Sequence, residues 1–363
     1  MSQAISIDSR SKQVFIGLIS EKTGLNIKEK DLEAIWKLVS KRIEHSRLNT
    51  LEEYCQLLRA STLASQEEWN KLIPSITNAE SFFFRDKGQF SLLRRHIVPE
   101  LINQRASTKS LRICSAGCST GEEAYSIAIL LKELIPDIEQ WNITIFGLDI
   151  NSNSIEKARA GVYRNWSFRG LDEKVIQRFF SRKEEQYEID ESIKNMVVFH
   201  QLNLLKDPFT YANFKIEDVD LILCRNVFIY FNESAINEVV YKFYKALRPT
   251  GYLIVGHSEL YRQNLRQFRV NMFEESVAYQ RPVKDANSPD ADAPFSTSPS
   301  ASTTSSNTEN RNLTDFFEGS SAEMQKTALN LLRQLPPDST ISRLGNRRVS
   351  EMILQLEQSL KET

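Results

Sequence analysis

The sequence predicts a doubly wound α/β core behind a small helical N-terminal domain, and three observations carry that prediction. Short apolar runs with strand character recur at residues 111–114, 143–148 and 219–224, each ending in small or polar residues. The turn after the first run, SAGCSTGEEAYS over residues 115–126, is rich in small residues and opens a helical pattern over residues 127–134. Upstream, residues 27–75 carry helical periodicity instead, with Leu32, Ile35, Trp36, Leu38, Val39 and Ile43 in one apolar stripe.

Taken in order, residues 1–76 read as the helical domain, with Lys37, Lys41, Arg42 and Arg47 on or near the polar face of the stripe; they serve equally as a docking patch or as a solvated helix surface. The core follows at 77–282, with strands expected near 111, 143, 196, 219 and 252 and a closing antiparallel hairpin over residues 268–280. Between 180 and 199 the alternation suggests a short inserted antiparallel ribbon. From 283 to 320 the chain reads as a disordered linker, since residues 285–312 are dominated by Ser, Thr, Ala, Pro, Asn and Asp, a composition that cannot bury enough surface to order itself. Residues 321–363 then suggest two short amphipathic helices split by Pro336 and Pro337, either folded back on the core, disordered or acting as an interaction module.

The strand ends define a candidate ligand crevice, since open α/β sheets bind ligands beyond the carboxyl ends of their strands. In the first turn Gly117, Ser119 and Gly121 allow close approach to the main chain, and the free N–H groups that open the helix offer donors. The spacing is not that of a dinucleotide fingerprint and no Walker lysine follows Gly121. Glu122 and Glu123 sit in the helix's first turn, where carboxylates suit the macrodipole but repel phosphate, so a nucleotide-like cofactor with a cationic part fits best. The second strand closes on Asp149, the candidate ribose ligand, with a helix cap as its lesser reading. The third ends in Arg225, Asn226 and Val227, followed by Tyr230, whose ring and hydroxyl add an aromatic face with a polar tip.

These pieces together resemble the CheR-type chemotaxis receptor methyltransferases, from about residue 25 to 281. The resemblance is carried by ESFFFRD at 80–86, SAGCSTGEEAYS, GLDIN at 147–151 with EKARAGVY at 156–163, CRNVFIYF at 224–231 and GHSE at 256–259. It implies a class I SAM-methyltransferase-like fold and transfer of a methyl group from S-adenosyl-L-methionine to receptor glutamates, leaving S-adenosyl-L-homocysteine. It further implies that Arg85 lies by the cofactor and the substrate carboxylate, that Ser81 takes the place usually held by threonine, and that Tyr230 is the active-site tyrosine. Asp149 matches the ribose-binding acid, and Glu122 or Glu123 the acid beside the cofactor. Asn203 and Leu204 match the pair flanking the adenine, and Asn226 with Val227 the residues near the methionine part. Ala79 stands where the family commonly has asparagine or glycine. Family members that tether to a receptor's C-terminal pentapeptide lengthen the ribbon with a glycine-bearing loop; no Gly occurs here between Gly170 and Gly251, so pentapeptide-independent action is expected.

Composition agrees with an enzyme that folds without staples: 363 residues, 41% hydrophobic. A net charge of −1 gives no bulk attraction to nucleic acid or anionic membrane. Cys55, Cys114, Cys118 and Cys224 form no CxxC pair and read as free thiols, and the four scattered histidines predict no metal. No run approaches the ~20 apolar residues needed to span a bilayer, and no signal peptide opens the chain. The expectation is a cytoplasmic monomer acting on the cytosolic helical part of methyl-accepting receptors. Two other readings stay open: a cofactor-binding signalling protein without turnover, and a methyltransferase acting on a small molecule or RNA.

Overall fold

A computed structural model describes residues 8–211, 214–257, 259–260, 263, 265–283, 329, 332–333, 340–341 and 347–362. Nearly all of the segment 283–320, read above as a linker, and most of 321–346 lie outside the described residues.

The N-terminal layer comprises α1 (Ser9–Thr23), α2 (Leu32–His45), α3 (Leu51–Arg59) and α4 (Leu63–Ile76). Asp8 caps α1 by accepting from the Arg10 and Ser11 amides, and Gly24 ends it at φ 77°, a conformation that glycine adopts without steric cost. The helices close around Phe15, Ile19, Val39, Ile43, Tyr54 and Leu72. Arg42 departs from the expected basic face. Its Nε and Nη2 donate to Glu68 Oε1 (2.8 Å) and Oε2 (2.5 Å), while the Tyr54 hydroxyl donates to Glu68 Oε1 at 2.7 Å. A buried carboxylate needs such partners, so this cation is recruited inward. Burial pushes the Glu68 carboxyl up, but the hydrogen bonds from Arg42 and Tyr54 outweigh it and hold the group below its ordinary range.

Next come α5 (Lys87–Leu92), a π turn (Leu93–Ile97) and α6 (Val98–Arg105). The core then alternates β1 (Ser110–Ala116), α7 (Glu122–Leu134), β2 (Asn142–Asp149) and α8 (Ser152–Ala160). It continues through β3 (Val162–Arg164), α9 (Glu173–Phe179), β4 (Phe180–Lys183), β5 (Gln186–Ile189), α10 (Glu191–Lys194) and β6 (Val197–Gln201). The remaining elements are β7 (Thr210–Tyr211), β8 (Phe214–Lys215), β9 (Val219–Cys224), α11 (Glu233–Ala246), β10 (Leu247–Val255), β11 (Arg269–Met272), β12 (Val277–Gln280), β13 (Thr340–Ile341), β14 (Arg347–Arg348) and α12 (Val349–Glu362).

Among the described residues the main sheet has the order β14-β13-β11-β12-β10-β9-β1-β2-β6. The five expected core strands are β1, β2, β6, β9 and β10, parallel to their neighbours, while β12 pairs antiparallel with β10 and β11 as the closing hairpin. Every residue of β9 is buried, as expected of a parallel strand covered on both faces. From β1 the chain runs outward through β2 to β6, then returns to the other side of β1 as β9. The topological switch point therefore lies between β1 and β9, where this class of sheet opens its ligand crevice.

The inserted ribbon differs from its expected bounds: β3, β5 and β4 form one antiparallel sheet, so a strand from residues 162–164 joins from upstream, and residues 191–199 instead hold α10 and the start of β6. Three residues are too few to display an alternation. Cys55, Cys114, Cys118 and Cys224 are free and buried. In the tail, Leu329, Leu332, Val349, Met352 and Leu356 join the core cluster beside Val270 and Phe268, and β13 pairs parallel with β11.

Candidate active site

Four strand ends and one upstream segment converge on a cavity of about 730 Å³. Its lining includes Ser81 and Arg85 from the segment after α4, Gly117, Ser119 and Glu123 from the β1–α7 turn, and Asp149 from the tip of β2. Asn203 and Leu204 follow β6; Asn226, Val227 and Tyr230 follow β9. The N-terminal layer closes the far side with residues such as Ile27, Ala34 and Leu38.

The turn after β1 is held more tightly than its sequence implies. The amides of Gly117 and Cys118 donate to the Leu148 carbonyl at 2.7 and 2.9 Å, and that of Ser119 to Asp149 Oδ2 at 2.8 Å. These main-chain donors are thus engaged within the protein, whereas the donors expected for a ligand are the amides that open α7 at Glu122. Gly117, at φ 75°, makes room for a neighbour: a Cβ there would lie 2.3 Å from Val227 Cγ2. Gly121 likewise serves packing, since an added Cβ would approach the Ala158 Cβ to 2.9 Å.

The two acids of α7 diverge. Glu123 lines the cavity; its Oε1 accepts from Ser115 Oγ at 2.7 Å and its Oε2 from Arg225 Nη1 at 3.1 Å. Glu122 is 2% exposed, takes hydrogen bonds from Thr120 Oγ1 and Ser167 Oγ, and does not line the cavity. Helical geometry explains the split, because adjacent residues point about 100° apart.

Asp149 accepts one backbone amide on each oxygen, Ser119 on Oδ2 and Asn151 on Oδ1, both at 2.8 Å. A carboxylate has about four acceptor positions, so two remain for a pair of vicinal hydroxyls. Burial raises the Asp149 carboxyl above its usual range, and the amides of Asn151 and Ser119 oppose that rise. Asn203 is committed to the fold: Oδ1 accepts from the Leu205 and Lys206 amides, while Nδ2 donates to the Lys22 carbonyl at 2.7 Å and ties the core to α1.

The segment 77–86 is strapped across the crevice. Asn151 Nδ2 donates to Thr77 Oγ1 (2.9 Å), Ser119 Oγ to the Ala79 carbonyl (2.8 Å), and the Phe84 amide to Ser126 Oγ (2.9 Å). Ala79 therefore contributes a carbonyl, and an amide side chain comes from its neighbour: Asn78 Nδ2 donates to the Tyr230 hydroxyl at 3.0 Å. Arg85 is held by its carbonyl, which accepts from buried Arg225 Nη2, and by its own Nη1, which donates to the Glu80 carbonyl at 3.3 Å.

Sequence reasoning missed three supports of this arrangement. Arg225 is named there only as a cation at a strand end; its Nε donates to Gln89 Oε1 at 2.5 Å, so it links Glu123, Gln89 and Arg85 beneath the cavity floor. Glu259 accepts from the amides of Gly256 (2.6 Å), Asn226 (3.0 Å) and Ile229 (3.3 Å), fixing Asn226 at φ 59°. Burial pushes its carboxyl up against those donors. Asn78 is the third.

A crevice at the switch point of a doubly wound sheet, with an acid at the tip of β2, is where folds of this class hold nucleotide-type cofactors. Residues 79–277 match the family model described as CheR methyltransferase, SAM binding domain, and the chain belongs to that family. It is 32% identical over 265 residues to chemotaxis protein methyltransferase 2 of Vibrio cholerae, covering 73% of this chain and 90% of that one. It is 31% identical over 264 residues to the chemotaxis protein methyltransferase of Borreliella burgdorferi, covering 72% and 91%. The corresponding protein of Escherichia coli is 30% identical over 273 residues, covering 74% and 90%.

The residues present fit the cofactor. Asp149 keeps acceptor capacity for ribose hydroxyls, and Glu123, paired with Arg225, lines the cavity with a carboxylate. When bound, S-adenosyl-L-methionine supplies a methyl group activated by attachment to a sulfonium.

Proposed function

We propose that this protein methylates glutamate side chains on the cytosolic helical part of methyl-accepting chemotaxis receptors, giving methyl esters. The observation that carries the reading is that Arg85 and Tyr230 reach the same cavity as Asp149 and Glu123. An acceptor glutamate with an ordinary pKa near 4.3 is ionised by roughly 500 to one at pH 7, so no base has to take a proton. What the chain must do is align the acceptor oxygen and exclude water from it.

Arg85 orients that carboxylate from the rim, together with Ser81 and the Tyr230 hydroxyl, which Asn78 holds in place. The tie from Arg225 to the Arg85 carbonyl supports the backbone at this point. Asp149 receives the ribose hydroxyls, Asn203 and Leu204 flank the adenine, and Asn226, Val227, Gly117 and Glu123 surround the methionine portion. Glu122 supports α7 from inside.

Receptor docking is assigned to the exposed cations of α2 and its C-terminal end, Lys41 and Arg47; Lys37 is paired with Glu33 at 2.6 Å and Arg42 is spent on Glu68. Lys41→Glu raises KM for receptor with steeper effect at low salt; an unchanged KM contradicts the patch. Pentapeptide independence is supported by the two-residue turn Glu184–Glu185 between β4 and β5. Among the described residues no helix is long and apolar enough to cross a membrane; we assign a cytoplasmic monomer. The domain bounds proposed are 1–76, 77–282, 283–320 and 321–363.

The test is transfer of radiolabelled methyl to a receptor cytosolic fragment. Counts released by mild base as methanol are expected. Counts that resist base, or none at all from folded protein, contradict the reading.

A further inference from the structure

Residues 165–169 grip the active-site strap from outside, and we propose that Arg169 is a positioning residue for Arg85, acting through Phe82 and Glu80, which the two arginines share. The inference rests on the role given to Arg85 above. The guanidinium carbon of Arg169 lies 3.8 Å from the centroid of the Phe82 ring and 4.3 Å from that of Trp166. Its Nη2 donates to Glu80 Oε1 at 2.9 Å and its Nη1 to the Trp166 carbonyl at 2.8 Å. Arg85 meets the same two strap residues from within the segment: its guanidinium carbon is 5.6 Å from the Phe82 centroid, and its Nη1 donates to the Glu80 carbonyl at 3.3 Å.

The main chain is pinned alongside. The Phe83 amide donates to the Ser167 carbonyl at 2.9 Å, and the Phe83 ring stacks on Phe168 at 5.2 Å with 5° between planes. Phe84 and Asp86, on either side of Arg85, stand at φ 52° and 68°. Non-glycine residues hold such conformations where the surroundings over-determine them. Arg169 completes that enclosure on the solvent side. Trp166 is 68% exposed, so its ring packs on Arg169 rather than in the core.

Loss of the clamp leaves Phe82 and Glu80 free to shift and Arg85 free to change rotamer. A misplacement of about 1 Å at a reacting centre costs up to ~100-fold in rate. The clamp depends on a planar cation between rings, which lysine does not reproduce although it keeps the charge and the partner Glu80.

The experiment uses the full chain, with receptor-fragment methylation resolved into kcat and KM, calorimetric affinity for S-adenosyl-L-homocysteine, and Tm. Arg169→Ala lowers kcat about 10-fold with product affinity within about 2-fold of wild type, because the clamp acts on orientation and not on cofactor contacts. Arg169→Lys fails to rescue, Trp166→Phe retains activity, and Trp166→Ala, at an exposed position where folding is not at stake, loses part of kcat. Coupled residues are non-additive, so Arg85→Ala/Arg169→Ala is no more than about 2-fold slower than Arg85→Ala. The proposal is overturned by wild-type kcat in Arg169→Ala, by full rescue with lysine, by losses that multiply in the double variant, or by an effect confined to KM. Wild-type kcat in Arg85→Ala overturns the role of Arg85 itself; an impaired Arg85→Ala beside a normal Arg169→Ala removes the clamp alone.

Discussion

Asp149 and Glu259 do similar physical work at two strand ends: each is a carboxylate, half-buried at Asp149 and buried at Glu259, whose oxygens collect backbone amides and thereby set a loop. They differ in what is left over. Asp149 faces the cavity with acceptor positions to spare, whereas Glu259 gathers the amides of the β9 loop. Both carboxyls are raised by burial, which fixes the sign of a pH effect at Asp149. The ionised form is the better acceptor of ribose hydroxyls; affinity for the cofactor product is complete above the raised value and falls as pH drops through it, starting at higher pH than an ordinary carboxylate near 3.9 would allow. Calorimetry from pH 8 downward checks this, and a flat affinity to pH 4 counts against it. Glu259→Ala strands backbone donors, each worth about 1–3 kcal/mol when left unpaired, so Tm falls even though no ligand contact is removed. An unchanged Tm contradicts that role. Asp149 was legible in the sequence because it closes a strand. Arg225, Glu259 and Asn78 were not, because their partners Gln89, Asn226 and Tyr230 are brought to them only by tertiary folding.

At the level of elements, the clearest departure from the sequence reading is Arg42. Its position on α2 is compatible with an exposed basic face, but buried Glu68 on α4 claims it together with Tyr54 on α3. Removing one member of a buried pair costs about 3–5 kcal/mol, so Arg42→Glu unfolds the N-terminal layer where Lys41→Glu does not. The Glu68 carboxyl lies below its ordinary value, so its contribution to stability is present above the unfolded value near 4.3 and is lost as pH falls through the folded one. Acid unfolding monitored by circular dichroism shows this loss in wild type, and Glu68→Gln removes that part of the pH dependence; an identical acid profile in both contradicts it. Core strands and their order of helices were readable because continuous apolar runs mark buried parallel strands. Strands such as β3, β13 and β14 were not, since two or three residues carry no period.

At the scale of the whole molecule the described residues of α12, with Leu329 and Leu332, belong to the core. Met352 and Leu356 of α12 are buried with Leu329 and Leu332 in the cluster that also holds Phe268 and Val270, and β13 extends the sheet beyond β11. The sequence left that docking open because an amphipathic pattern gives a helix's buried face without saying what it meets. Leu356→Ala costs about 2 kcal/mol or more, a fall in Tm of several degrees, while affinity for S-adenosyl-L-homocysteine stays at the wild-type value. A lost affinity at unchanged Tm contradicts this division of labour.

All scales meet in the claim that the ends of β1, β2 and β9 build one cofactor pocket. Its most direct measurement is calorimetric titration of the purified full chain and of Asp149→Ala with S-adenosyl-L-homocysteine. The account predicts saturable one-site binding in the wild type, weakened about 10-fold or more in the variant, as expected when charge-assisted hydrogen bonds worth about 1.5–3 kcal/mol are removed. Folded wild-type protein that gives no binding heat, or a variant that binds as tightly as wild type, contradicts it.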